Sequence, residues 1–331
     1  MLKFDEQWQL DNVNGMLVRR PEIEKIADEL FEKGFDGMYF MGIGGTLASS
    51  MQVVDGTIGK SVLPFYVQSA AEYLTNGNKR ITEKSVVVIA SVTGTTKEMV
   101  EAVKKVKELG ATVVGFIEEA NSPLAEMSDY VLSYPKNEQM KLFMLAHRLM
   151  YRNGEFDDYE RFYKELDDHL AEDLVEVEKA ADAFGEQFAV AHKDDPIHYY
   201  IGAGNLWGAT YSYAMCYVEE QEWLRTKSIH AAEFFHGTLE IIDRDTNVTL
   251  FMGEDEERPL AERVARFLPQ ICGRYTIIDT KDYELKGISP EFRGLISYMV
   301  MHCVTQRIDA HIEKLNCHPL SIRRYYRQLD Y

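Results

Sequence analysis

Cysteine is scarce in this chain, and its scarcity argues against one class of fold. The 331 residues include four cysteines, which are Cys216, Cys272, Cys303 and Cys317. Small secreted domains that depend on disulfides use cysteine far more densely, and these four lack the spacing of a zinc ribbon. We therefore expect reduced thiols, no disulfide framework and no cysteine-bound metal.

Long apolar runs and positive charge are also lacking. No stretch approaches the roughly 18 consecutive apolar residues that mark a membrane-spanning helix, and the opening "MLKFDEQWQL" has no apolar targeting segment. The formal charge of −18, from 36 Lys and Arg against 54 Asp and Glu, disfavours nucleic acid and anionic membranes as partners. These features predict a cytoplasmic globular protein that holds any anionic ligand locally, with loops and helix ends.

Short β-branched runs alternate with amphipathic stretches along the first half. Four runs predict strands: "GMYFMGIG" (37–44), "SVVVIASVTG" (85–94), "ATVVGFIEE" (111–119) and "YVLSYP" (130–135). Between the second and third runs, an apolar stripe at helical spacing is formed by Met99, Val100, Val103 and Val106. This strand–helix–strand order predicts a parallel sheet with right-handed crossovers, the doubly wound α/β class.

The same motifs return in the same order about 160 residues later. "YFMGIGGTLASS" is echoed by "YYIGAGNLWGAT", and "SAAEYL" is echoed by "HAAEFF". The chain is therefore predicted to contain two copies of one α/β unit. The predicted segments are an N-terminal helical segment (1–34), a first domain (35–154), an acidic linking helix (155–190), a second domain (191–315) and a C-terminal tail (316–331).

Two loops of the first copy have the composition of a phosphate site. "GIGGT" and "SVTGTT" each follow a strand and enter a helix, where hydroxyls and free backbone amides can bind an anion without net positive charge. Leu47 stands where a dinucleotide fingerprint needs glycine, and no Walker lysine follows, so a nucleotide cofactor is disfavoured. The candidate ligand-binding residues are Gly44, Gly45, Thr46, Ser91, Thr93 and Thr96.

These two loops and the segment "EEQEWLRTKSIHAAEFFHG" (219–237) resemble the sugar isomerase (SIS) domains. The segment is similar to the isomerase half of glucosamine-6-phosphate synthase and more closely to bacterial fructosamine-6-phosphate deglycases. The resemblance implies two tandem duplicated SIS domains of flavodoxin-like architecture. It also implies a catalytic glutamate sixteen positions before a histidine, which gives Glu220 and His236.

The same resemblance implies a substrate and its contacts. The substrate would be a 6-phosphorylated fructosyl amino acid, cleaved without cofactor or metal by a homo-oligomer, with its phosphate against Thr46 and the "SVTGTT" loop. The tail "NCHPLSIRRYYR" (316–327) would close the site and bring His318 and Arg324 to it. In the synthase a tail lysine forms a Schiff base, whereas Arg324 stands at the corresponding position and cannot form one.

Several alternatives stay open from the sequence. Glu219 and Glu222 neighbour Glu220 and could supply the base instead. Glu233 has a counterpart in the first copy, so a structural role competes with substrate binding, and His230 could also reach an open sugar. An aldose-ketose phosphosugar isomerase and a non-catalytic sugar-phosphate sensor are the alternative functions.

Overall fold

The computed structural model describes residues 1–329, so the last two residues of the predicted tail lie outside the described residues. The α-helices are α1 (Glu6–Val18), α2 (Arg20–Lys33), α3 (Gly45–Thr57), α4 (Ala70–Asn76), α5 (Lys97–Glu108), α6 (Pro123–Met127), α7 (Glu138–Arg152), α8 (Tyr159–His192), α9 (Asn205–Ser212), α10 (Arg258–Ile271) and α11 (Pro290–Asn316). The strands are β1 (Met38–Gly42), β2 (Phe65–Ser69), β3 (Val86–Ser91), β4 (Thr112–Ile117), β5 (Tyr130–Leu132), β6 (His198–Gly202), β7 (Thr226–His230), β8 (Asn247–Met252) and β9 (Arg274–Asp279). A π-helix (Tyr213–Glu219) and three short 3-10 helices (Phe234–His236, Thr238–Ile241 and Thr280–Asp282) complete the described elements.

The chain divides into two compact units. One unit comprises Asp11–Asp167, and the other comprises Met1–Leu10 with Asp168–Tyr331. The acidic helix predicted over 155–190 lies at Tyr159–His192, and it contributes residues to both units. The first ten residues belong with the second half because Arg307 on α11, which is 1% exposed, donates from Nη2 to the carbonyl of Leu2 at 2.7 Å.

The first unit contains a parallel sheet in the order β2-β1-β3-β4-β5. Strands β1, β3 and β4 are buried along their whole length, as their continuous apolar runs predict for a sheet covered on both faces. The helix predicted from the stripe is α5, and it buries Met99, Val103 and Val106 against the sheet. The doubly wound α/β prediction is confirmed for this unit.

The second unit repeats this architecture with four strands. Its parallel sheet has the order β7-β6-β8-β9, which matches the order β2-β1-β3-β4 of the first unit. Its core includes Ile201, Leu250 and Val264, which come from β6, β8 and α10. Two tandem units of one fold class are therefore present, as the motif echoes predicted. Among the described residues, none of the helices combines the length and apolarity that crossing a membrane would require.

Candidate active site

The two hydroxyl-rich loops of the first unit lie where open α/β sheets bind ligands. β1 ends at Gly42 and β3 ends at Ser91, and the two strands are parallel neighbours in the sheet. Successive connections leave in opposite directions from this pair, since β2 lies on one side of it and β4 on the other. Ligands bind at such switch points, beyond the carboxyl ends of the strands. The fold thus brings the two loops together.

The first loop is held tightly by its own backbone and one hydroxyl. A Cβ on Gly42 would stand 2.5 Å from the backbone of Thr46, and Gly44 has the positive φ of 59° at the N-cap of α3. Thr46 Oγ1 accepts from the Ile43 amide at 3.1 Å and donates to the Ile43 carbonyl at 3.0 Å. Because the Thr46 proton is already used, this residue shapes the loop, and the amides that begin α3 are left to face an anion.

The second loop keeps hydroxyl protons available. Ser91 Oγ accepts from the Gly94 amide at 2.9 Å, so its own proton is not consumed by that bond. Thr96 occupies the N-cap of α5 without forming a side-chain cap. Gly94 has a φ of 61°, and a Cβ there would stand 2.0 Å from Ser122 Oγ. This loop can therefore present hydroxyl donors beside the N-terminus of α5.

In the second unit, the loop that corresponds to "GIGGT" is occupied by carboxylates of the protein itself. Gly204 and Asn205 begin α9, as Gly44 and Gly45 begin α3. The Gly204 amide donates to Glu257 Oε2 at 3.0 Å, and the Asn205 amide donates to Asp255 Oδ2 at 2.7 Å. Both acids come from the segment "GEDEE" (253–257), so the N-terminal amides of α9 are already bonded to carboxylates of the protein. We expect no phosphate to bind there.

Three neighbouring glutamates have very different surroundings at the end of the π-helix. Glu219 Oε1 accepts from the amide and hydroxyl of Thr226, at 3.2 and 2.7 Å. Glu222 is 5% exposed and lies against Asp309. The Glu220 side chain is 33% exposed, and its Oε1 accepts from Arg323 Nε at 2.8 Å. Glu219 is thus exposed and held by Thr226 of β7, whereas Glu220 is partly exposed and held by Arg323 of the C-terminal tail.

Glu222 and Asp309 form a buried carboxyl pair behind this segment. Both Glu222 oxygens are buried without another partner, and Asp309 is also 5% exposed. Two carboxyls can hydrogen-bond each other only if one keeps a proton. Burial raises the pKa of Asp309 to about 7 and raises the pKa of Glu222 well above its usual value. Tyr213, from the π-helix, donates to Asp309 at 2.9 Å and completes the cluster.

Replacing Glu222 by glutamine should flatten the pH dependence of stability. Unfolded carboxyls titrate near pH 4, so the folded pair holds more protons than the unfolded chain from about pH 4 up to its raised pKa values. The free energy of unfolding should therefore fall as pH rises through that window, by at most about 1.4 kcal/mol per pH unit for each proton. Urea unfolding across the window should give a smaller slope for Glu222→Gln, while Glu219→Gln keeps the wild-type slope. Equal slopes in all three proteins would contradict a shared proton.

The C-terminal tail packs on the segment that carries Glu220. His318 Nε2 donates to the Gln221 carbonyl at 3.0 Å, and its ring lies 4.0 Å from that of Trp223. The Arg324 guanidinium stacks over the same indole at 4.0 Å, while the neighbouring Arg323 pairs with Glu220. We call these contacts of His318, Arg323 and Arg324 with residues 220–223 the tail clasp.

The "HAAEFFHG" segment follows β7 and carries the remaining candidates. His236 ends a 3-10 helix and is exposed, and its amide donates to the Glu233 carbonyl at 3.0 Å. Glu233 is exposed as well, so both side chains are open to a ligand. His230 is partly buried, with its Nε2 4.0 Å from Glu257 Oε2 and its ring 5.2 Å from Trp207. His230 therefore lies beside the acidic loop of the second unit.

Two further residues with unusual surroundings, Arg323 and Lys141, are not among the predicted site residues. The pairing of Arg323 with Glu220 leaves no signal in the sequence. Lys141 lies in the apolar run "MKLFMLAH" of α7, and this lone lysine in a buried stripe was the available signal. It is 1% exposed and donates to the Tyr134 carbonyl at 2.5 Å. Burial lowers the pKa of Lys141 to about 8, although the negative charges of Glu118 and Glu138 act to raise it.

Known proteins with similar sequences include SIS domains and deglycases. Residues 36–149, within the first unit, match the SIS domain family. Nearly the whole chain is similar to fructosamine deglycase FrlB of Bacillus subtilis, with 29% identity over 94% of this chain and 97% of that protein. Fructoselysine 6-phosphate deglycase of Escherichia coli is 23% identical over 92% of this chain and 90% of that protein.

A solved structure shares the same architecture. The crystal structure of a proposed phosphosugar isomerase from Bacillus subtilis superposes with a TM-score of 0.88 and 27% identity, covering 96% of this chain and 100% of the other. The predicted resemblance is thus confirmed: the SIS match covers residues 36–149, and the similarity to the deglycases extends over nearly the whole chain.

Proposed function

We propose that this protein is a deglycase that splits a 6-phosphorylated fructosyl amino acid into glucose 6-phosphate and the free amino acid. The substrate class follows from the two deglycases to which nearly the whole chain is similar. The observation that supports the chemistry is that the partly exposed Glu220 carboxyl is held by Arg323 of the C-terminal tail, whereas Glu219 bonds Thr226 of β7 and Glu222 is buried.

The first unit would hold the phosphate. Ser91 and Thr96 offer hydroxyls beside the amides that begin α3 and α5, at the switch point of the sheet. A substrate with one phosphate needs one such site, and the equivalent helix end of the second unit is occupied by Asp255 and Glu257. This asymmetry between two units of the same topology supports a single phosphate site.

Glu220 would act as the general base. The C1–H bond of the open ketosamine is acidified by the C2 carbonyl, so removal of that proton gives an enaminol, and its return to C2 leaves an imine at C1. Water adds to the imine and expels the amine, giving glucose 6-phosphate. His236 would move the proton on the C2 oxygen and help to open the sugar ring. Each step is a proton transfer, a hydration or the loss of the amine, all within reach of acid–base groups.

One assay separates this function from its alternatives. The purified protein is incubated with 6-phosphorylated fructosyl amino acids of different side-chain charge, and released glucose 6-phosphate and amine are quantified. Equal release of both products supports the deglycase. Interconversion of fructose 6-phosphate and glucose 6-phosphate without amine release would indicate an isomerase. Binding of the sugar phosphate without turnover would indicate a sensor.

Removing two loop hydroxyls should weaken substrate binding more than turnover. Hydrogen bonds to a charged acceptor contribute about 1.5 to 3 kcal/mol each, so Ser91→Ala with Thr96→Ala should raise KM by at least about tenfold. The kcat should change less, because these contacts are made before and during the reaction alike. The matched control is Thr75→Ala, whose hydroxyl bonds the Ala71 carbonyl of its own helix. An unchanged KM in the double variant would move the phosphate site elsewhere.

A further inference from the structure

Two histidines and an aspartate converge at the amino end of β6, the end opposite to the loops that follow the strands. His192 ends α8, His198 begins β6, and Asp195 lies in the short connection between them. Their potential metal-ligand atoms all lie within 4.8 Å of one another. The side chains are 10%, 4% and 6% exposed, in that order, so this is an interior cluster and not a surface run of charges.

Both histidine rings direct their Nδ1 atom at the same carboxylate oxygen of Asp195. His192 Nδ1 lies 2.7 Å from Asp195 Oδ2, and His198 Nδ1 lies 3.0 Å from the same Oδ2. Around a tetrahedral ion with bonds of about 2.0 to 2.1 Å, neighbouring ligand atoms stand about 3.3 Å apart. Binding such an ion therefore requires the two Asp195 contacts to lengthen toward about 3.3 Å and the two Nδ1 atoms to stand a similar distance apart.

The groups outside the cluster are those that orient metal ligands. Metal-binding histidines commonly donate their second ring N–H to an oxygen, and ligating carboxylates are themselves hydrogen-bonded. Here His198 Nε2 lies 2.8 Å from Thr249 Oγ1, and Arg274 Nη2 donates to the other oxygen of Asp195 at 3.2 Å. Asn247, the ladder partner of His198, adds a buried side-chain oxygen that has no hydrogen-bond partner.

We propose that His192, Asp195 and His198 bind one divalent transition-metal ion with nitrogen and oxygen preference, such as Zn²⁺. Without the ion each Nδ1 carries the proton that Asp195 accepts. On binding, that proton moves to Nε2, where His198 can donate it to Thr249. The ion would fix the connection between α8 and β6, so its role is structural. This inference is independent of the proposed function and replaces the expectation of a metal-free protein.

The test measures binding of Zn²⁺ and Co²⁺ to untagged protein that has been treated with chelator. Equilibrium dialysis with elemental analysis should give one ion per chain, and Co²⁺ should produce a visible absorption band. His192→Gln and Asp195→Asn should each weaken binding by at least about 100-fold, and Thr249→Val, which removes only an orienting group, by about 10- to 100-fold. The control is His302→Gln, which removes an exposed histidine on α11.

Two results would overturn the proposal. One is wild-type protein that retains no ion at micromolar Zn²⁺. The other is a stoichiometry and affinity that do not change in the cluster variants, because the ion would then be bound elsewhere. Circular dichroism confirms that each variant is folded. If His192→Gln fails to fold, the isosteric Asp195→Asn and the milder Thr249→Val still decide the question.

Discussion

Replacing Glu220 by glutamine is expected to lower turnover of a 6-phosphorylated fructosyl amino acid by about 100- to 10,000-fold. The amide keeps the shape of the side chain and can still contact the tail, but it cannot accept the C1 proton. Affinity for glucose 6-phosphate should stay within a few fold of wild type, because the phosphate contacts lie on other residues. Steady-state release of glucose 6-phosphate and calorimetric binding of the product measure the two quantities.

The control for this variant is one position away. Glu219→Gln removes a carboxyl that accepts from Thr226, and turnover should stay close to wild type because that carboxyl is held by β7 and not by the C-terminal tail. If Glu220→Gln retains more than about a tenth of wild-type turnover, Glu220 is not the base. A large loss in Glu219→Gln alone would transfer the role to that residue. His236→Asn should also reduce turnover severely, by removing the group assigned to the C2 oxygen.

The central strands could be predicted from sequence because their burial leaves a simple pattern. Continuous β-branched runs mark β1, β3 and β4, which are fully buried. The edge strand β2, "FYVQS", was not predicted, because four of its five residues are partly or fully exposed. The short edge strand β5 lies within its predicted run, which continues into polar residues beyond it.

The local geometry around Glu220 could not be derived from residue spacing. In the π-helix the backbone hydrogen bonds span five residues and not the four of an α-helix. An example is the bond from the Glu220 amide to the Met215 carbonyl, at 3.1 Å. This changes which way each successive residue points relative to an α-helix, so helical periodicity cannot tell a partly exposed Glu220 from a buried Glu222. The partner of Glu222 is equally hidden, since Asp309 lies 87 positions away (309 − 222) in a largely apolar helix.

Ending the chain after Cys317 is expected to leave a folded protein whose kcat has fallen by about 100-fold, because small displacements of a catalytic group have effects of that size. Helix α11 ends at Asn316, and most described tail residues beyond it are exposed, so the core does not depend on them. The deletion removes the whole tail clasp and with it the ion pair that positions Glu220. It also releases Trp223, which has a φ of 62°, a left-handed conformation that a non-glycine residue adopts infrequently.

Point variants separate the parts of the clasp. Arg323→Ala removes the direct partner of Glu220, so kcat should fall by a larger factor than KM changes. Arg324→Ala removes the cation stacked on Trp223 and should lower kcat less. Arg327→Ala is the control, since its guanidinium lies over Tyr326 within the tail itself. A solvated tail that merely complements the dipole of α11 predicts near-normal turnover in the truncated protein and in all three variants. If the truncated protein unfolds, Arg323→Ala decides between the two: a kcat equal to that of Arg327→Ala would remove the tail from the active site.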